Sequence, residues 1–183
     1  ANSVLPAGKR ILLISPCSSH PRRNWSAQRY AAVADYAMTH HGMAVVLSGG
    51  PSELERETGE AIEQAMQQPA INLIGKDTLP QLVALLKRVD VVLSPDAGPV
   101  HLANALGTAV IGLHASTWSL RSGPYNSLQL CVDKFPQAAE RFRGKSPQEL
   151  RWGTRIEDDG VMDLIEIDDV IERLDMAVEN FEL

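Results

Sequence analysis

Residues 94–107, SPDAGPVHLANALG, combine residue types that are suited to binding an anion. The apolar run before them predicts a strand, and a short helix is predicted to follow it. Gly98 can serve as the cap of this helix, and Pro99 suits its first position, where a missing N–H costs nothing. His101 then lies in the first turn, beside backbone N–H groups that have no partner within the helix. Together with Asp96, these residues predict a polar corner that fits a phosphate-bearing ligand.

The composition argues against several classes of protein. The chain has 183 residues, of which 44% are hydrophobic and 22% charged, and its formal net charge is −6. This mixture is typical of a soluble globular protein, and the negative charge argues against a nucleic-acid partner, which needs clustered Lys and Arg. No apolar run approaches the roughly 20 residues that span a bilayer. Cys17 and Cys131 lack metal-ligand spacing and are expected to be reduced thiols in a cytoplasmic protein.

Short apolar runs alternate with helical periods through the first two-thirds of the chain. The runs are continuous, as expected of strands buried on both faces, and capping boxes begin two of the helices. Five strands alternating with four helices predict an α/β fold, a Rossmann-like parallel sheet flanked by helices, with right-handed crossovers. The predicted strands are 11–14, 44–47, 71–74, 91–93 and 109–113, and the helices begin near Ser26, Ser52, Thr78 and Gly98.

The pattern loosens in the last third of the chain. Residues 121–160 are rich in Pro, Gly and Arg, which predicts long ordered loops with one short helix near 147–151. Within this segment, Trp152 is expected to lie in the core. Helical periodicity returns at the end, where apolar residues line one face of a terminal helix at about 168–181.

Polar side chains follow the predicted strands at the points where those strands end. Ser18, Ser19 and Arg23 follow the first strand, and Asp96 and His101 follow the fourth. Ligands of open parallel sheets bind outside the carboxyl ends of the strands, so these side chains are expected to meet at one edge. Small and polar residues also make ordinary turns, which is the alternative. The sequence lacks the G-x-G-x-x-G dinucleotide fingerprint, the Walker motif and G-x-S-x-G.

These motifs, in this order, resemble glycosyltransferase family 9, the ADP-heptose:lipopolysaccharide heptosyltransferases. The stretch SPDAGPVHLANALGTAVIGLH, followed by RSGPY, is similar to the family pattern D-[TS]-G-x-x-H-x-A-A-x-x-G and the loop after it. The loop SSHPRRNW at 18–25 and the loop LSGGPSE at 47–53 resemble two further loops of the family. The likeness spans roughly residues 10–130. Ala97 departs from the pattern, because the family usually has a hydroxyl residue at that position.

The resemblance implies the C-terminal, donor-binding half of a GT-B architecture, in which two Rossmann-like domains face a cleft. Residues 1–9 are then the remnant of an interdomain linker, and residues 10–183 form a nucleotide-sugar-binding domain, with the N-terminal acceptor domain absent. The resemblance places the donor-binding residues as follows: Ser18, Ser19 and Arg23 at the diphosphate, Asp96, Ala97, Gly98 and His101 at the diphosphate and sugar, and Glu53 at the ribose or sugar hydroxyls.

The resemblance also implies the chemistry. The parent enzyme would transfer a sugar from an ADP-heptose-like donor with inversion, in lipopolysaccharide core or related glycan synthesis, with no metal ion and no other cofactor. The catalytic base is expected on the missing domain, so this chain holds no catalytic residue and is expected to be inactive alone. Its implied partners are that domain and, through it, a glycolipid acceptor. The implied location is the cytoplasm, with the full-length enzyme able to lie peripherally at the inner membrane.

Two other interpretations stay open. A free-standing module that binds a nucleotide or phosphometabolite without catalysis would account for the chain length directly. A different GT-B enzyme, such as an epimerase, would share the fold but should place an acidic pair at the sugar, and the sequence has no clear pair of this kind.

Overall fold

The computed structural model describes residues 5–180, so residues 1–4 of the predicted linker and residue 181 of the predicted terminal helix lie outside the described part. Six strands form one parallel sheet: β1 (Ile11–Ile14), β2 (Ala44–Leu47), β3 (Ile71–Asn72), β4 (Val91–Pro95), β5 (Ala109–His114) and β6 (Val132–Asp133). Their order across the sheet is β3-β2-β1-β4-β5-β6. All five predicted strands are present, and a sixth follows them. The third is shorter than predicted, because the Asn72 side-chain oxygen accepts the Ile74 N–H at 3.0 Å and turns the chain.

α-Helices connect most of these strands and follow the last one. Ser26 begins the first helix, its hydroxyl oxygen accepting the Arg29 N–H. Gly42 ends that helix with a φ of 62°, a left-handed conformation that glycine adopts without strain. The helices are α1 (Ala27–His41), α2 (Glu53–Ala65), α3 (Leu79–Leu86), α4 (Gly98–Ala105), α5 (Ser119–Ser122), α6 (Phe135–Arg143) and α7 (Ile167–Glu179).

Both faces of the sheet are covered. Successive side chains of a strand point to opposite sides, so one strand contributes to two hydrophobic layers. In β1, Leu12 and Ile14 belong to the layer that includes α1, α6 and α7, whereas Ile11 and Leu13 belong to the layer that includes α3 and α4. This three-layer arrangement confirms the predicted α/β fold class and explains why the strands read as continuous apolar runs.

The prediction of long loops across residues 121–160 is wrong where α6 and β6 form. Pro136 lies in the first turn of α6, where its missing N–H is tolerated, so the FPQ sequence begins a helix instead of breaking one. Phe135, Ala138 and Ala139 form the buried face of α6. The short helical turn predicted near 147–151 is confirmed as a 3₁₀ helix at Pro147–Glu149.

Trp152 is also placed differently from the prediction. Its side chain is 69% exposed rather than buried in the core. The terminal helix, by contrast, begins at Ile167, within one residue of the prediction, and buries Val170 and Leu174. No helix in the described range is both long and apolar enough to cross a membrane.

Candidate functional site

The sheet order changes direction between β1 and β4, because later strands add outward from each of them. In open parallel sheets such a switch point leaves a crevice at the carboxyl ends of the strands. A cavity of about 720 Å³ opens there, walled by the loops after β1, β2, β3 and β4. The loop after β1 contributes Ser18 and Ser19, and the loop after β4 contributes Asp96, Ala97 and Gly98. The structure thus brings five of the eight sequence-predicted site residues into one cavity.

The N-terminus of α4 lies in the wall of this cavity. Ala97 occupies the N-cap position, with Gly98 and Pro99 at the first two helical positions, so the expectation that Gly98 caps the helix is wrong by one residue. The alanine methyl cannot accept a hydrogen bond, so this side chain does not satisfy the partial positive charge of the helix end. A Cβ atom on Gly98 would meet no other atom within 4 Å, which shows that the space in front of it is open. The geometry suits an anion against the backbone of Gly98.

Asp96 connects the cavity to two neighbouring side chains. Its Oδ2 accepts a hydrogen bond of 2.7 Å from the Ser122 hydroxyl, which holds the carboxylate in place. Its Oδ1 lies 3.6 Å from Nε2 of His101. The His101 side chain is 54% exposed and lies beside the cavity rather than in its wall. Asp96 therefore lies beside the imidazole, and His101 can reach only a ligand that extends out of the cavity.

The loop after β1 is held by its own side chains. The Asn24 side-chain oxygen accepts both the N–H of Ser18 at 2.7 Å and its hydroxyl at 2.9 Å. Arg23 is buried outside the cavity wall, and its Nη2 donates to the Ser19 hydroxyl at 2.8 Å. Its Nε lies 3.4 Å from a Glu157 oxygen, so part of its charge is already neutralised. Arg23 therefore approaches the cavity through Ser19.

Glu55, rather than the predicted Glu53, lines the cavity. Glu53 is exposed at the first position of α2, on the outside of the loop. Glu55 turns back over the loop because its two carboxylate oxygens accept the Gly50 N–H at 2.7 Å and the Ser52 hydroxyl at 2.6 Å. The capping box seen in the sequence was the signal for this geometry, since its acidic member reaches back toward the N-cap. The predicted contact of Glu53 with the donor stays a prediction.

An apolar wall with one carboxylate completes the cavity, and neither feature was indicated by the sequence motifs. Leu54, Leu79 and Leu82 line it, with Leu79 66% exposed. Asp77 lies in the same wall and accepts a long hydrogen bond of 3.5 Å from the Ser48 hydroxyl. Burial raises the pKa of the Asp77 carboxyl above its usual range. Exposed leucines in a concave surface favour a flat apolar group of a ligand.

His114 lies buried at the end of β5, behind the site. Its Nδ1 is 3.2 Å from the Thr117 hydroxyl. Burial lowers the pKa of this imidazole below its ordinary value, although the nearby Asp96 and Asp133 carboxylates act in the opposite direction. A neutral imidazole therefore supports the loop from below, and the side chain does not line the cavity.

The carboxylates of the acidic run Glu157, Asp158 and Asp159 form ion pairs with arginines. Asp158 lies 2.6 Å from Nη2 of Arg143, and Asp159 lies 3.0 Å from Nε of Arg22. These pairs are on the surface, where each contributes little to stability. Throughout residues 5–180, no group of three or more His, Cys, Asp or Glu side chains is arranged to hold a metal ion.

Comparison with known sequences places the chain among glycosyltransferases. The lipopolysaccharide core heptosyltransferase OpsX of Haemophilus influenzae is 38% identical over 174 residues, which cover 95% of this chain and 50% of that protein. A lipopolysaccharide heptosyltransferase 3 of Escherichia coli is 32% identical over 111 residues, covering 60% of this chain and 32% of that protein. The chain thus spans about half the length, or less, of these curated relatives.

Solved structures share the fold. A glycosyltransferase family 9 protein from Veillonella parvula superposes with a TM-score of 0.74 at 21% identity, covering 96% of this chain and 48% of that one. The E. coli ADP-heptose lipopolysaccharide heptosyltransferase II superposes with a TM-score of 0.72 at 21% identity, covering 98% and 49%. The sequence model of glycosyltransferase family 9 (heptosyltransferase) matches residues 1–150. By this match and by its identity to OpsX, the chain belongs to glycosyltransferase family 9.

Proposed function

We propose that this chain is the nucleotide-sugar-binding domain of a heptosyltransferase acting in lipopolysaccharide core or related glycan synthesis, and that its ligand is an ADP-heptose-like donor. The observation that carries the proposal is one cavity whose wall combines the uncapped start of α4 with a group of leucines. A nucleotide sugar has matching parts, a charged diphosphate and a flat base. The family membership and a relative described as an ADP-heptose heptosyltransferase support the same ligand class.

The size and chemistry of the cavity fit this ligand. Its volume of about 720 Å³ lies within the range of roughly 300–1,000 Å³ that small-molecule sites occupy. The hydroxyl of Ser19, which accepts from Arg23 and keeps its own proton free, and the backbone N–H of Gly98 can donate to phosphate oxygens. Leu54 and Leu79 are placed to cover the base.

Charge neutralisation in the proposed reaction needs no metal ion. As the bond between the sugar and the diphosphate breaks, negative charge grows on the diphosphate. The start of α4 and the Arg23–Ser19 pair lie nearby to stabilise that charge. The alanine at position 97 supplies one hydrogen-bond donor fewer than a hydroxyl residue would, so Ser19 carries more of this task. The acceptor hydroxyl attacks from the opposite side of the sugar, with inversion, and a base on a second domain takes its proton.

The rest of the reaction belongs to that second domain, which also binds the glycolipid acceptor. This chain accordingly binds donor but performs no transfer alone. The proposed setting is the cytoplasmic side of the inner membrane.

Calorimetry with ADP and ADP-heptose tests the proposal. ADP and ADP-heptose are expected to bind in the micromolar to millimolar range. Arg23→Ala is expected to weaken ADP binding by about tenfold, because Arg23 holds Ser19 and supplies charge close to the diphosphate. Arg141→Ala is the control, since this arginine is exposed on α6 and packs on Phe142.

The proposal fails if neither ADP nor ADP-heptose binds at millimolar concentration, or if Arg23→Ala behaves like Arg141→Ala. Transfer separates the proposal from the alternative of a non-catalytic module. Heptose transfer to a lipopolysaccharide core acceptor is expected only when this domain is joined to an acceptor domain of the same family.

A further inference from the structure

Three aromatic rings pack one against the next, from the core to the surface, beside β5. Phe135 is buried, and Trp118 stacks on it with ring centroids 5.9 Å apart and an angle of 15° between the planes. Trp152 lies 6.1 Å from Trp118 and is 69% exposed. The exposed indole is therefore held by a buried support rather than by a loose loop. An indole that remains exposed in this way offers a rigid apolar face to a ligand.

Two arginines border the same indole. Arg121 and Arg151 line a small depression together with Trp118 and Trp152. The guanidinium of Arg121 lies against Gly153, where an added Cβ would be 3.3 Å from Nε and 3.6 Å from Nη2. A side chain at position 153 would push this arginine away, so the glycine keeps it beside the indole.

Neither arginine is neutralised within the part of the chain that the structure describes. Arg22, Arg29 and Arg143 each pair with a carboxylate, but Arg121 and Arg151 pair with none in residues 5–180. The sequence has 23 acidic against 17 basic residues, so acidic partners are plentiful. Two cations without an acidic partner beside an exposed indole favour an external anion with an apolar face.

One helix, α5, connects this surface to the proposed donor site. Ser122 follows Arg121 directly in α5 and donates its hydroxyl to Asp96, a residue of the cavity wall, at 2.7 Å. The residue next to Arg121 in the chain thus holds the carboxylate that also lies 3.6 Å from His101. In the proposed reaction an acceptor sugar has to reach the donor sugar, and a site carried by α5 is suited to hold that acceptor.

We propose that Trp152, Arg121 and Arg151 form a binding site for an anionic sugar of the acceptor glycan. The apolar face of the sugar ring stacks on the Trp152 indole, and its phosphate or carboxylate binds the two guanidinium groups. This inference rests on the proposed function, because it assigns part of acceptor recognition to the donor-binding domain. Nucleic acid would use the same chemistry, but the net charge of −6 disfavours it.

The test follows the indole N–H resonance of Trp152 in the ¹⁵N-labelled chain with saturating ADP. The probes are glucose 6-phosphate, a sugar with a phosphate, and glucuronate, a sugar with a carboxylate. Glucose tests the sugar ring without charge, and inorganic phosphate tests the charge without a ring. An anionic sugar is expected to shift the Trp152 resonance with a millimolar dissociation constant, at least about tenfold tighter than glucose. The buried Trp25 indole, which donates to the Ile165 carbonyl, is the internal reference and should not move.

Variants show whether the shift of the Trp152 resonance comes from binding of the anionic sugar at the two arginines or from an unspecific effect of the sugar. The double change Arg121→Gln with Arg151→Gln is expected to weaken anionic-sugar binding at least about tenfold, whereas Arg141→Gln leaves it unchanged. Trp152→Ala removes the reporting indole, so binding to this variant is followed at the Trp118 indole, which lines the same depression. The variant should lose anionic-sugar binding while keeping ADP affinity and the melting temperature. The inference is overturned if no sugar shifts the Trp152 resonance, or if inorganic phosphate shifts that resonance as much as an anionic sugar does. It is also overturned if Arg141→Gln weakens sugar binding as much as the double variant, or if a short single-stranded oligonucleotide binds at Trp152 more tightly than the sugar. Failure of ADP binding would instead overturn the proposed function, since it is measured separately.

Discussion

Gly98 presents backbone to the cavity at the position where α4 begins. An added Cβ there meets no protein atom within 4 Å, so a methyl group is tolerated by the fold but occupies space next to the cavity. Gly98→Ala is therefore expected to weaken ADP binding by about tenfold and to shift the melting temperature little. Calorimetry and a thermal melt measure the two effects. Ala105→Ser, which adds one atom at the exposed end of the same helix, is the control, and equal ADP affinities in both variants would contradict a phosphate contact at Gly98.

Cys17 and Cys131 differ in their relation to the cavity. Cys17 lines it, and burial raises the pKa of its thiol, so it should react slowly with N-ethylmaleimide near pH 8. Burial raises the pKa of Cys131 to about 12, so this thiol should stay unreactive while the chain is folded. ADP is expected to slow the labelling of Cys17 several-fold, as followed by intact mass, and Cys17→Ser identifies the labelled site. An unchanged rate with bound ADP would remove Cys17 from the ligand site.

Residues of the site were predictable where a strand end and a helix start are close in sequence. Asp96 and Gly98 belong to this class, because their types and their position after an apolar run both indicate an anion-binding corner. Asp77 was missed because its spacing does not reveal its hydrogen bond to Ser48. Glu55 was missed although the S-x-x-E capping box indicates that its carboxylate reaches back toward the loop. Hydrogen bonding in three dimensions thus decided which acidic residue faces the cavity.

At the scale of elements, α7 closes the sheet face that α1 leaves partly open. Leu174 in the middle of α7 is fully buried in that layer. Leu174→Ala is expected to lower the free energy of unfolding by about 2–5 kcal/mol, because a cavity replaces the removed atoms. Urea denaturation measures the change, with Glu172→Ala on the exposed side of α7 as the control. A loss below about 0.5 kcal/mol would mean that α7 contributes little to the folded domain.

The elements that the sequence predicted are those with a clear period. The strands β1, β2, β4 and β5 are continuous apolar runs because both of their faces are covered, and α1 and α7 show the helical spacing of a single buried face. Helix α6 was missed because Pro136 and the neighbouring polar residues resemble a loop, whereas its buried face is supplied by Phe135, Ala138 and Ala139 within one turn. Partly buried Phe142 packs on the same face and completes the i, i+3, i+4, i+7 spacing, so α6 was missed because of the proline and not for want of a period.

For the whole molecule, the free energy of unfolding is expected to depend on pH through one buried imidazole. His114 is fully buried, and burial lowers its pKa below the ordinary value of 6.5. As the pH falls below that value, the unfolded chain binds a proton at this residue while the folded chain still resists it. The folded state therefore loses stability on acidification, by up to about 1.4 kcal/mol per pH unit for one proton.

The slope of the free energy of unfolding against pH tests the role of His114. Between about pH 7.5 and about pH 5.5, the free energy of unfolding is expected to fall more steeply for the original chain than for His114→Asn, which removes the titrating group. Urea denaturation at several pH values measures both slopes, and their difference cancels the other titrating groups that the two chains share. The comparison stays informative even if His114→Asn is less stable throughout, because the prediction concerns the slope and not the offset. Parallel slopes would show that the Asp96 and Asp133 carboxylates compensate for burial and let His114 bind its proton in the folded state.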